Sequence, residues 1–138
     1  MWAAAAWASS FAALHVHWVF GGRLGLGEGA AADAAFERGW FVTFNVVAAV
    51  LCTLAAALAL SVRCAWGGAV PQWVRRGGLW ATAIVLSLRG TVGTVQSLSG
   101  RRTPAEVEAP VLLLYDPWFL VGGALFTVVA IGSRRDPT

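Results

Sequence analysis

Residues 40–62 read WFVTFNVVAAVLCTLAAALALSV, twenty-three positions without a single charge. A helix needs about 20 predominantly apolar residues to cross a hydrocarbon core roughly 30 Å thick. This run therefore predicts a transmembrane helix, and three more blocks of the same kind flank it. One precedes it at Trp2–Gly22, and two follow at Leu79–Leu98 and Val111–Gly132. The connectors Arg23–Gly39, Arg63–Gly78 and Ser99–Pro110 are too short to hold another domain. A strand-based barrel needs alternating apolar and polar residues, which these blocks lack. The expected architecture is an all-α, integral membrane four-helix antiparallel bundle, with residues 1–138 forming one transmembrane domain.

Composition supports the same reading. Hydrophobic residues make up 58% of the chain and charged residues 12%, about half the roughly 25% of a globular protein. Mean hydropathy is +0.68. These values exclude a disordered chain, a disulfide-stapled module and an ordinary soluble enzyme. The pI is near 9.7, yet the net charge is only +3. The cations sit in short clusters between apolar blocks, where topology accounts for them, so no nucleic-acid partner is expected. All ten basic residues are Arg, which reads as coding bias.

The first block has no basic leader and is longer than a signal-peptide core, so it is expected to stay as a helix. Orientation follows from Arg placement. Arg63, Arg75 and Arg76 in the middle connector, with Arg134 and Arg135 in the tail, give five Arg on one side against four on the other. Both termini are therefore expected on the cytoplasmic face of the cell membrane. Cys52 and Cys64 are twelve residues apart and form no C-x-x-C, which argues against a disulfide exchanger. Cys52 reads as a small buried apolar residue.

Ionisable groups inside apolar blocks are costly and hence candidates for function. They are His15, His17, Arg89 and Asp116, accompanied by Asn45, Gln96 and Tyr115. At about 1.5 Å per residue, His15, His17, Asn45 and Asp116 lie on the order of 7–10 Å from the non-cytoplasmic end. Arg89 lies at roughly 14 Å and can reach toward that surface. One polar cluster in the outer half of the bundle is expected. Residues seven apart share a face, which groups Thr82, Arg89 and Gln96, with Gly93 leaving space beside the Arg. The same spacing groups Asn45 with Cys52, Ser10 with His17, and Asp116 with Gly123.

Asp116 is the only acid inside any block, so an Arg89–Asp116 ion pair is expected. Its role is either a packing clamp or a functional one, anchoring a polar head group or relaying protons with a His; the alternative is an unpaired Arg89 that snorkels to the surface. Because Arg does not shed its proton, losing Asp116 is expected to cost more than losing Arg89. Asp116-Pro117 also reads as an N-cap followed by N1, which would start a helix there and break the fourth block. His15 and His17 point about 200° apart. The Ser10 stripe favours His17 as the inward one, whereas Phe11 and Trp18 favour His15. Neither a haem nor a zinc ion has enough ligands, so no metal or cofactor is expected. Trp2, Trp40, Trp66, Trp73 and Trp80 fit an interfacial belt, while Trp7, Trp18 and Trp118 lie deeper and are candidates to line a lipid-sized cavity.

Three segments carry a resemblance. They are His15-x-x-Trp18-x-x-Gly21-Gly22, the Arg89-Gly90 centre of the third block, and Tyr115-Asp116-Pro117-Trp118-Phe119-Leu120-x-Gly122-Gly123. Together they resemble a family of small bacterial four-helix membrane proteins known as a domain of unknown function. The resemblance covers nearly the whole chain and implies an integral membrane protein without an assigned reaction. Its first-helix His matches His15. Small multidrug exporters need an acid within helix one, which is absent here. Sterol-isomerase-like enzymes share only the buried acid and the Trp walls.

Two functional classes remain. One is a non-enzymatic membrane component, either a lipid-binding module or a packing partner for another membrane protein or a second copy. The other is a membrane enzyme or carrier for a small lipid or isoprenoid-like molecule in an outer-half cavity. The lipid bilayer is the partner expected in both cases, with a small lipid ligand, a membrane-protein partner or a second copy as the further candidates.

Overall fold

A computed structural model describes residues 1–26, 30–99 and 110–133. Among the described residues five α-helices follow in order: α1 Trp2–Val19, α2 Ala30–Phe36, α3 Phe41–Ser61, α4 Gln72–Leu98 and α5 Pro110–Gly132. A 3-10 turn at Ala65–Ala69 lies between α3 and α4. No strand occurs among the described residues. The cationic tail with Arg134 and Arg135, and most of the Ser99–Pro110 connector, lie outside them.

Among the described residues three helices are long and apolar enough to cross a membrane: Phe41–Ser61, Gln72–Leu98 and the Tyr115–Gly132 part of α5, with mean hydropathies of 2.2, 1.3 and 1.4. Helix α1 has the length, at 18 residues, but not the apolarity. Trp2, Trp7, Trp18, His15 and His17 dilute its alanines.

The four long helices pack as two close pairs, α1 on α3 and α4 on α5, and the pairs meet along narrower seams. Small side chains line the inside. Ala4, Ala5 and Ala8 of α1, Ala55, Ala56 and Ala59 of α3 and Ala83 of α4 are buried, closing around Trp7, Phe11, Leu79 and Phe126. The large aliphatics point outward, including Val46, Val50 and Leu54 of α3 and Val85, Leu88 and Val92 of α4. Small residues inside let backbones approach, and a helix that is apolar all round suits a lipid surrounding.

The helix ends correct several sequence boundaries. Helix α1 stops at Val19 rather than Gly22, because Gly21 takes a φ of +80°. The Gly21 N–H donates to the Trp18 carbonyl at 3.0 Å and the Gly22 N–H to the His17 carbonyl at 2.9 Å. That pair of bonds is the Schellman closure, which favours Gly at the left-handed position. The first connector contains α2, whose Ala-rich sequence is intrinsically helical. Helix α4 starts seven residues earlier than expected, at Gln72 after Pro71. Falling hydropathy at Arg75–Gly78 marked the edge of the apolar stretch, not the end of the helix.

Helix α5 runs unbroken through Pro117. The N-cap reading of Asp116 is therefore wrong: one backbone donor is missing from the helix, and the carboxylate is engaged elsewhere.

Candidate functional site

Asp116 is 1% exposed, on the face of α5 that meets α4. Its Oδ1 accepts a hydrogen bond from Nη1 of Arg89 at 2.6 Å, and the Arg side chain stays 52% exposed. Two glycines make room for this pair. A Cβ on Gly93 would collide with the Asp116 carboxylate and with Arg89 Nη1. A Cβ on Gly90 would lie 2.8 Å from Leu120 N and 2.9 Å from the Asp116 carbonyl oxygen. The α4 and α5 backbones thus touch directly beside the charges, as small residues permit. Above the pair, the Arg89 guanidinium carbon sits 5.2 Å from the Phe119 ring centre, a cation–π contact.

A second polar pair joins α1 to α3. His15 and Asn45 are both buried, with His15 Nδ1 2.7 Å from Asn45 Oδ1. Asn45 Nδ2 donates to the Phe41 carbonyl at 2.8 Å. With its amide so oriented, Asn45 offers His15 an acceptor, so Nδ1 carries the proton. The imidazole is held between rings, Trp18 at 5.0 Å and Phe44 at 6.2 Å, both edge-on. His15 is a satisfied core residue that ties two helices together.

Between the two pairs stands an aromatic wedge. Phe11 lies 6.3 Å from the His15 ring on one side and 5.2 Å from Phe119 on the other. Tyr115 is edge-on to Phe11 and to Trp18, each at 6.2 Å. The expected single cluster is in fact two separate pairs with rings between them.

The outward sides of α1 and α5 form a groove of about 830 Å³, within the roughly 300–1,000 Å³ typical of small-molecule sites. Ala13, Leu14, Trp118 and Val121 form apolar walls, while Ser10, His17 and Tyr115 supply polar atoms. Ser10 Oγ donates to the Trp7 carbonyl at 2.7 Å. Leu24 closes one end, where its carbonyl accepts from Trp18 Nε1 at 2.8 Å. Its N–H donates weakly to His17 Nε2 at 3.4 Å.

The sequence-based candidates therefore separate. His15, Asn45, Arg89 and Asp116 form the two pairs, and Tyr115 belongs to the wedge. Of the two histidines, His15 is the buried one and His17 faces out, so aromatic company outweighed the Ser10 stripe. Gln96 is exposed and joins neither pair. The Thr82–Arg89–Gln96 stripe does not face the core, because α4 buries Leu79, Ala83, Gly90 and Gly93 instead. Trp118 lines the groove, but Trp18 packs behind it on Tyr115. Phe119, which covers Arg89, is not among the candidate residues and enters the sequence reading only as part of the Tyr115–Gly123 segment. Its position four residues after Tyr115 on one helix face was the available signal.

Fold and site define an all-helical protein with three membrane-compatible helices, tied by a buried-carboxylate ion pair and a His–Asn bond. The chain belongs to the family described as "Protein of unknown function (DUF3995)", which matches residues 8–126. No curated protein and no solved structure matches it.

Proposed function

We propose that this protein is a multi-pass cell-membrane component in which all four long helices span, with both termini cytoplasmic. In this reading it is not an enzyme; it holds one lipid in the groove between α1 and α5.

The groove carries the reading. It combines apolar walls with Ser10, His17 and Tyr115, as an amphipathic lipid requires. Helix α1 supports the fourth span, because it packs along α3 and shares a bond to Asn45 near its end. The Arg distribution supports the orientation, since Arg63, Arg75 and Arg76 lie between α3 and α4 without an acid beside them. The polar pairs support a non-enzymatic role. Helix backbone at Gly90 and Gly93 seats against Arg89–Asp116, and His15 is engaged with Asn45.

The test is native mass spectrometry of protein extracted in mild detergent. Wild type should retain one lipid that Ala13→Trp, which fills the groove from an exposed position, releases. An unchanged lipid complement in Ala13→Trp would refute the groove as the site.

A further inference from the structure

The opposite end of the bundle carries a different feature. There α1 begins, α3 ends, α4 begins and α5 ends, and a pocket of about 350 Å³ opens beside Arg63. Its walls include Trp2, Val62, Val128 and Val129, so one charged head group and one apolar slot are adjacent. The turn that carries Arg63 is tightly built. The N–H groups of Arg63 and Cys64 both donate to the Leu60 carbonyl at 3.1 Å, and a Cβ on Gly67 would collide with the Ser61 carbonyl.

Charge distinguishes the two ends. At the Arg23 end, cations have carboxylates beside them, and Arg23 bonds Asp33 at 2.6 Å. At the Arg63 end, the described residues include Arg63, Arg75 and Arg76 and no acid. The sequence beyond Ser133 adds Arg134 and Arg135 against Asp136. Exposed Trp2, Trp66 and Trp73 ring the same end, where indoles favour the head-group level.

We propose that the pocket beside Arg63 binds an anionic phospholipid, its phosphate on the Arg63 guanidinium and its acyl chain along Trp2, Val62 and Val128. Guanidinium matches phosphate in charge and hydrogen-bond geometry. Basic pockets between helix ends are a recurrent way to hold anionic lipids. The site is separate from the groove described above: the two share no lining residue, the groove lies toward the other ends of α1 and α5, and it makes no demand on head-group charge.

The experiment titrates the full chain in detergent micelles with phosphatidylglycerol and, separately, phosphatidylcholine, counting bound lipid by native mass spectrometry. Phosphatidylglycerol should be preferred, and Arg63→Gln should lower its affinity about fivefold, the worth of one interfacial Arg. Arg63→Lys, which keeps the charge, should hold most of the preference, and Arg23→Gln at the other end should leave it intact. Ala13→Trp should also leave it intact, so failure here and failure of the groove are read separately. Equal binding of the two lipids would overturn the proposal, as would Arg63→Gln behaving like wild type or Arg63→Lys losing as much as Arg63→Gln. A competition arm adds inorganic phosphate. Displacement at millimolar concentration would mark a site for free phosphate and overturn the lipid assignment, while retention of the lipid supports it.

Discussion

Replacing Gly93 with Ala tests the packing around the ion pair, because two effects of opposite sign compete there. Gly to Ala inside a helix gains about 1 kcal/mol from backbone entropy. At Gly93 the new methyl would meet Asp116 Oδ1, Asp116 Cγ and Arg89 Nη1. Overpacking a close contact costs about 1–3 kcal/mol. The carboxylate is 1% exposed, so it has little room to withdraw without leaving Arg89. Breaking a fully buried pair costs roughly 3–5 kcal/mol. With the Arg side chain 52% exposed, a discount to about 2 kcal/mol is appropriate. The clash and the weakened pair together outweigh the helix gain, for a net destabilisation of about 2–4 kcal/mol.

Gly77, on the same helix, has nothing within 4 Å of its would-be Cβ. There the entropy gain stands alone, and Gly77→Ala should stabilise by about 0.5–1 kcal/mol. The assay is reversible unfolding in mixed detergent micelles, comparing both variants with wild type. Two variants of equal stability, or a stabilised Gly93→Ala, would refute the packing argument.

Three further outcomes are expected. In a double-mutant cycle, Arg89→Leu and Asp116→Asn should couple by about 2 kcal/mol, with Arg89→Leu the more damaging single change; zero coupling in the same unfolding assay contradicts the pair. Asn45→Ala should cost about 1–3 kcal/mol, since it leaves His15 Nδ1 buried without its acceptor, and the loss should appear as faster hydrogen exchange at the α1–α3 seam. Gly21→Ala should cost about 1–2 kcal/mol by forcing a Cβ into a left-handed conformation, measurable as fraying of the last turn of α1.

Much of this arrangement is legible in the amino-acid sequence. The apolar blocks located the long helices, and Asp116, as the only acid within a block, identified its partner from depth alone. Gly93 beside Arg89 followed from helical spacing. Other features were hidden for identifiable reasons. Heptad stripes assume that polar groups turn inward, but α4 buries Leu79, Ala83, Gly90 and Gly93 and leaves Gln96 outside. Asp-Pro imitates a helix start, and only the competing demand of Arg89 for the carboxylate reveals a continuous helix. The order of damage expected for Arg89 and Asp116 also changes, because depth placed both in hydrocarbon, whereas the structure leaves Arg89 half-exposed and Asp116 enclosed. Contacts to backbone, such as the Trp18 bond to the Leu24 carbonyl, carry no side-chain signature at the acceptor.

The central claim is that Trp2–Val19 crosses the membrane as a fourth span despite its three Trp and two His. Single cysteines at Ala3 and Leu24, in a background with Cys52 and Cys64 changed to Ser, test it with a membrane-impermeant thiol reagent on intact cells. Leu24→Cys should be labelled from outside and Ala3→Cys only after permeabilisation. Labelling of both positions from the same side would contradict it.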